Sequence, residues 1–287
     1  MIFSTFASKN QNMVQPELHF YPLDEHVTAF STTRHGGYSE GNYSAFNINH
    51  YCGDSEEAIS KNRELLCRLL GIDDCHLMMP HQVHQTEMVT IDQDFLGLSF
   101  EEQKERLEGV DALMTDVKGI CIGVSTADCI PVLLYDKVHH CACAIHAGWR
   151  GTVKRIVEKA VGEMIVAYGT HPTDIVAQIG PGIHLDSFEV GDEVYEAFEK
   201  EGFNMELISK RYPINDSKSF TVHHSPLLSK WHIDLPACNR QQLISSGVPS
   251  SQIAVSDDCT FQQYKTYFSA RRLGINSGRV FTGILLR

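Results

Sequence analysis

Eight short apolar segments, at 87–91, 111–114, 120–124, 130–135, 141–146, 175–179, 253–255 and 279–285, constrain this chain of 287 residues more than any other feature. Most lack the alternation of a strand with one wet face. They read as strands buried on both sides, which requires sheets covered by further layers. Helical periodicity supplies the covers. It is clearest at 152–168, where Val153, Ile156, Val157, Ala160, Val161, Met164 and Ile165 fall at helical spacing and Gly169 provides the stop. A second helix is predicted at 55–70, with Ser55 as N-cap, acidic residues in the first turn, Leu66, Leu69 and Leu70 at the apolar end, and Gly71 beyond it. Shorter helices are predicted at 100–107, 192–200 and 236–246. Strands and helices intermingle without a strict βαβ rhythm. The expected class is therefore α/β or α+β, with layered mixed β-sheets covered by helices. No repeat, low-complexity stretch or charge run marks a linker, so 1–287 reads as a single domain.

Charge narrows the partners. With 24 Lys and Arg against 36 Asp and Glu, the net charge is −12, and no overall basic field exists to hold a nucleic acid. An anionic small substrate remains open, because local arginines and backbone N–H groups act over short distances. No apolar run approaches the ~18 residues of a membrane span, and the first ten residues lack the basic and apolar regions of a signal peptide. A cytoplasmic protein without a membrane partner is expected. Nine cysteines contain no C-x-x-C pair, and most are expected as small buried hydrophobes.

Among fifteen histidines, position has to select. His139 and His140 follow Asp136 in an apparent turn, and His223 and His224 lie in a polar segment; all four are expected in solvent, without a role. Three segments instead place potential ligands at strand ends: His81-Gln82-Val83-His84, Ser125-Thr126-Ala127-Asp128-Cys129, and His146-Ala147-Gly148-Trp149-Arg150-Gly151-Thr152. His84, Cys129 and His146 together would form a His₂Cys set of the kind that leaves a catalytic zinc one open position. Their spacing matches no local zinc signature. The third segment leads from a buried strand through two glycines into the best helix, so Arg150 and the N–H groups at Gly151 and Thr152 could hold phosphate or carboxylate. The same residues equally suit an ordinary turn in which Thr152 caps the helix and Arg150 pairs with a carboxylate. Arg34, beside Gly36 and Gly37 and followed by Asn42, Asn47 and Asn49, suits either an anion-binding loop or a β-turn.

Taken jointly, these segments resemble the laccase-domain or YfiH-type family, also called multicopper polyphenol oxidase-like and regarded mainly as purine nucleoside phosphorylases. The resemblance runs nearly end to end. It is carried by Thr32-Thr33-Arg34-His35-Gly36-Gly37, Phe46-Asn47-Ile48, Gln82-Val83-His84, Asp111-Ala112-Leu113, Thr126-Ala127-Asp128-Cys129-Ile130-Pro131, His146-Ala147-Gly148-Trp149-Arg150-Gly151, Ile179-Gly180-Pro181-Gly182-Ile183, Phe188-Glu189-Val190-Gly191 and Phe268-Ser269-Ala270-Arg271-Arg272. The resemblance implies zinc ligands at His84, Cys129 and His146, with His81 left out. It implies cleavage of adenosine, inosine, guanosine and S-methyl-5′-thioadenosine by phosphate, with deamination of adenosine as a further activity. Arg34, Cys129 and Asp128 are the expected catalytic residues; Arg34, Asn47, Arg150, Gly151 and Thr152 are the expected substrate and phosphate contacts. A monomer is expected, with a purine nucleoside and phosphate as partners. Two positions depart from the family pattern: Gln85 replaces a glycine, and Ala270 replaces a tyrosine.

The alternatives are a copper-dependent polyphenol oxidase, a peptidoglycan-precursor editing hydrolase, a metal-independent Cys129–His146 hydrolase, and a binding module without activity. A laccase requires several copper centres, and only three convincing ligand positions emerge. A nucleotide-sugar substrate needs a larger pocket than a nucleoside does.

Overall fold

The computed structural model describes residues 15–213 and 229–287; His223 and His224 lie outside them. Two large sheets stack face to face. The first contains β1 (Leu18–Tyr21), β2 (Val27–Thr32), β3 (Leu77–Met78), β6 (Cys121–Thr126) and β14 (Val280–Leu286), in the order β1-β2-β14-β6-β3. The second runs β13-β9-β7-β8-β5-β4, from β4 (Met88–Thr90), β5 (Ala112–Thr115), β7 (Ile130–Asp136), β8 (Cys141–Ala147), β9 (Ile175–Ile179) and β13 (Ile253–Val255). Most pairings are antiparallel; β3–β6, β4–β5 and β9–β13 are parallel. A small antiparallel sheet joins β10 (Glu189–Val190), β12 (Ser229–Ile233) and β11 (Ser209–Pro213).

Side-chain alternation explains why the segments look apolar throughout. Along β7, Leu133 and Tyr135 enter the core between the two large sheets, whereas Val132 and Leu134 face the opposite side. Along β6, Ile122 and Val124 enter that same core while Cys121 faces outward. Each outer face is then covered by helices, giving a mixed α/β fold of four layers, α-β-β-α. On the first sheet, α1 (Glu56–Leu70) packs Leu65, Leu66 and Leu70 against Phe30, Phe281 and Leu285. On the second, α5 (Ile156–Tyr168), α6 (Asp192–Lys200), α7 (Met205–Ile208) and α8 (Leu235–Ser245) join one outer core. Short α2 (Gln93–Leu96) adds Phe95 to the central core, and α3 (Phe100–Arg106) follows it with a capping box from Ser99 and Glu102. Six of the nine cysteines are buried and all are free, as expected of small core residues.

All eight expected strands are present, with ends shifted by at most two residues. The helix expected at 152–168 is instead two helices. α4 (Trp149–Val153) starts three residues early, and the chain breaks at Arg155, whose φ of 63° lies in the left-handed region. Its guanidinium donates to Glu158 and the Glu201 carbonyl and lies 3.9 Å from the Phe203 ring centroid, which fixes the break. Apolar periodicity continues across the break, so the pattern gives no sign of it. His139 and His140 are exposed as expected, though each holds a partner: Asp136 at 2.9 Å and the Tyr135 hydroxyl at 2.7 Å.

One buried polar residue of α1 secures the loop that follows β2. Asn62 accepts from the Tyr38 N–H at 2.8 Å and donates to the Asn47 carbonyl at 2.8 Å and the Ser39 hydroxyl at 3.0 Å. Its removal strands these groups without water. Asn62→Ala is expected to cost about 2–4 kcal/mol of stability, read as a lower urea midpoint at unchanged slope. A midpoint equal to that of the parent protein would contradict this role.

Candidate metal centre

The chain crosses from one large sheet to the other within Ala127-Asp128-Cys129, between β6 and β7. This crossing places Cys129 beside the end of β8, where His146 sits, and beside the loop after β3, which carries His84. The ligand atoms of the three residues lie within 4.8 Å of one another. His146 is 2% exposed, Cys129 is partly buried and His84 is exposed, so the group spans from the core to the surface. It is the single group of three or more potential metal ligands among the described residues.

The donor chemistry fits a metal ion. A Cβ built on Gly148 would come within 3.0 Å of both Cys129 Sγ and the His84 ring, so only glycine leaves this space clear. Burial by itself raises the Cys129 thiol, but the neighbouring His146 and His84 rings outweigh it and bring it down to about 6. Burial likewise lowers His146, and the facing Cys129 and Asp111 outweigh that, lifting it to about 9. A thiolate readied in this way beside two imidazoles is a ligand set for zinc or copper.

Asp111, just before β5, organises the set. Its Oδ1 accepts from His146 Nδ1 at 2.7 Å and from the His84 N–H at 3.0 Å, and its Oδ2 accepts from the Gln85 N–H at 2.7 Å. Burial pushes the Asp111 carboxyl up, but these donors prevail and hold it below its ordinary range. With Nδ1 turned to Asp111, His146 presents Nε2 to Cys129. Gln82 ties the same loop to β6: its side chain donates to the Ser125 carbonyl at 2.8 Å and accepts from the Ser125 N–H at 2.7 Å. Both residues stand within motifs quoted above, but no role follows from their spacing. Gln85 fits without left-handed backbone; His84 carries that conformation, at φ 63°.

A cavity of about 220 Å³ opens on the three ligands. Its wall also includes Tyr51, His81, Thr126, Ala270 and Arg279. His81 stacks on Tyr51 at 4.1 Å between ring centroids and bonds Glu108 at 2.6 Å, so it is held away from the ligand set. Ala270, at the start of α9 (Ala270–Leu273), contributes only a methyl group to the wall.

Five residues expected to bind substrate or phosphate do not line this cavity. Arg34 donates Nε–H to the Ser44 carbonyl and an Nη1–H to the Tyr264 carbonyl, which makes it a loop anchor. Asn47 is fully buried; its amide donates to Asp54 at 2.9 Å and its oxygen accepts from the Arg279 N–H. Thr152 is buried inside the five-residue α4, and its carbonyl accepts from Gln242. Gly151 gives the Gln85 carbonyl room to approach, and Arg150 is exposed over the Trp149 ring. Residues 150–152 thus form a strand–helix turn, with Gly151 and Thr152 packed and none of the three on the cavity wall. Both carboxylate oxygens of Asp128 are engaged, by the Thr260 hydroxyl at 2.8 Å and the Arg271 N–H at 2.7 Å. It positions the Cys129 loop, whose φ of 89° at Asp128 is left-handed.

Asp111→Asn removes the charge that holds the His146 proton. Metal affinity is expected to fall about 10–100-fold, measured by competition with a chromophoric chelator. Parent-level affinity would remove Asp111 from this role.

Residues 28–287 match the family described as multi-copper polyphenol oxidoreductase laccase. A protein named purine nucleoside phosphorylase, from Bacteroides thetaiotaomicron, is 46% identical over 260 residues, covering 91% of this chain and 92% of its own. A protein named as an adenosine deaminase, from an unknown prokaryotic organism, is 45% identical over 268 residues, covering 93% of this chain and 97% of its own. The crystal structure of YlmD from Geobacillus stearothermophilus superposes with a TM-score of 0.79 at 28% identity, covering 96% of this chain and 99% of that one. Sequence match and shared fold thus agree along nearly the whole length, and the chain belongs to the multi-copper polyphenol oxidoreductase laccase family, with YfiH and YlmD proteins among its structural neighbours.

Proposed function

We propose that the protein is a zinc-dependent purine nucleoside phosphorylase acting on adenosine, inosine, guanosine and S-methyl-5′-thioadenosine, with adenosine deamination as a second activity of the same centre. The whole chain, 1–287, would act as one domain and as a cytoplasmic monomer. The observation that carries this reading is the convergence of His84, Cys129 and His146 on one cavity, with His146 oriented by a buried carboxylate. Relatives named for phosphorolysis and for deamination, both more than 40% identical, support the two activities.

His84, Cys129 and His146 would hold the Zn²⁺, which when bound supplies Lewis acidity and a water of lowered pKa. Asp111 keeps the His146 proton on Nδ1, so that Nε2 remains a donor toward the centre. In phosphorolysis a phosphate oxygen forms a bond to ribose C1′ as the C1′–N bond breaks. The bonding pair leaves on the purine, which takes up a proton. In deamination water adds to the purine carbon and ammonia leaves, giving inosine from adenosine. The cavity measures about 220 Å³, and a nucleoside asks less of it than the far larger nucleotide sugar would.

Copper oxidase chemistry is less well supported. A laccase needs several copper centres, whereas the described residues offer one group of ligands. A blue-copper His₂Cys centre usually adds an axial methionine, and the cavity wall contains none.

Incubation of the metal-loaded protein with adenosine, with and without phosphate, tests the reading by chromatography of adenine, ribose 1-phosphate and inosine. Phosphate-dependent adenine is the expected product, accompanied by inosine. Adenosine left intact in both incubations would overturn it. His84→Ala and Cys129→Ala are each expected to lose zinc and at least ~100-fold of activity while keeping the parent far-UV circular dichroism. Stoichiometric copper with oxygen-dependent turnover would decide for an oxidase instead.

A further inference from the structure

Phosphorolysis brings one anionic reactant to a protein of net charge −12, and the arginines expected to receive it do not line the cavity. Arg279 does. It sits just before β14, and its backbone N–H donates to Asn47 Oδ1 at 3.1 Å. Its guanidinium is held on one side by carbonyls of its own loop: Nη1 donates to Ser277 and Gly278, and Nη2 donates to Ile275 at 3.0 Å. Nε–H and the second Nη2–H have no acceptor among the described residues. The described arginine ion pairs are Arg63–Asp74 and Arg155–Glu158, so Arg279 has no carboxylate partner among these residues. A guanidinium fixed by carbonyls, uncompensated, and carrying two unused donors is suited to an oxyanion.

A second, independent observation comes from the facing strand. Thr126 ends β6 directly opposite Val280, the residue after Arg279. It is 1% exposed, it lines the same cavity, and its hydroxyl has no hydrogen-bond partner. Buried hydroxyls are nearly always satisfied, so an enclosed, unpartnered hydroxyl beside a cavity marks a donor left for a bound group. Thr126 and Arg279 line the same cavity as His84, Cys129 and His146.

We propose that Arg279 and Thr126 form an oxyanion subsite that takes inorganic phosphate and holds it beside the metal centre. The Arg279 fork receives two phosphate oxygens, and the Thr126 hydroxyl donates to an oxygen. The nucleoside, which is neutral, occupies the remaining cavity. This inference rests on the phosphorolysis reading for its choice of anion.

Two measurements separate the subsite from that reading. The first is titration of inorganic phosphate into the metal-loaded protein by calorimetry, which needs no turnover. The second is the KM for phosphate at saturating adenosine, set against the KM for adenosine at saturating phosphate. Arg279→Gln is expected to weaken phosphate binding and raise its KM by about 30-fold or more, and isosteric Thr126→Val by about 3–10-fold; the KM for adenosine should stay within about threefold. Should Arg279→Gln fail to fold, Arg279→Lys, which keeps the charge but loses the fork, and Thr126→Val carry the decision. Arg279-dependent phosphate binding without adenosine cleavage would sustain the subsite and reject phosphorolysis. Phosphate binding and KM unchanged in the folded variants, with the parent protein active, would overturn the subsite and leave phosphorolysis standing. A parent protein that neither binds nor uses phosphate would overturn both.

Discussion

The candidate centre depends on the carboxylate of Asp111. It is buried, and a buried carboxylate persists as an anion only where donors replace its water. Here the donors are His146 Nδ1 and the N–H groups of Val83, His84 and Gln85. A single side chain therefore sets the tautomer of one ligand and the backbone path of another. Because Asp111 also leads into β5, paired to β8 through Ala112 and Ile145, both ligands are referenced to the second sheet. Without that charge, His146 could turn, and the loop that carries His84 would have three N–H groups to satisfy elsewhere.

Four stacked layers give this arrangement its rigidity. Two sheets packed face to face must be linked by crossings, and the shortest of these, Ala127-Asp128-Cys129, delivers the thiol. Such a tight passage costs conformational freedom: Asp128 takes a left-handed φ of 89°, as His84 takes 63°. Each is held by hydrogen bonds, through the Asp128 carboxylate in one case and the His84 N–H in the other. Non-glycine residues in this region persist only where their surroundings fix them, and ligand geometry is a place where such fixing is useful.

How much of this was legible in the sequence follows from what each signal measures. Strands buried on both faces declare themselves by apolarity alone, and β6, β7 and β8 were read within two residues. The strands β1, β11 and β12 do not, because exposed polar positions such as His19, Lys210 and Lys230 dilute the pattern. Strand-end position brings His84, Cys129 and His146 forward as a candidate set, but only the resemblance singles them out as ligands, since residues distant along the chain have no local spacing to display. Arg34, Asn47 and Thr152 were chosen for residue type, and type does not reveal whether carbonyls and carboxylates have already taken the donors. The same blindness hid Arg279 and Asp111, each of which in the sequence is only the first residue of an expected strand.

That contrast between Arg34 and Arg279 bears on how an acidic protein selects an anion. Both guanidiniums donate to main-chain carbonyls, so both are held rigidly. Arg34, however, commits Nε and Nη1 to carbonyls and lies outside the cavity, whereas Arg279 keeps Nε free and borders it. Carbonyl partners fix a guanidinium without cancelling its charge, which a carboxylate would do. At a net charge of −12 the long-range field repels anions, and screening confines that field to about 8–10 Å. Selection then belongs to the last few ångströms, where one uncompensated guanidinium and one unpartnered hydroxyl outweigh the distant average.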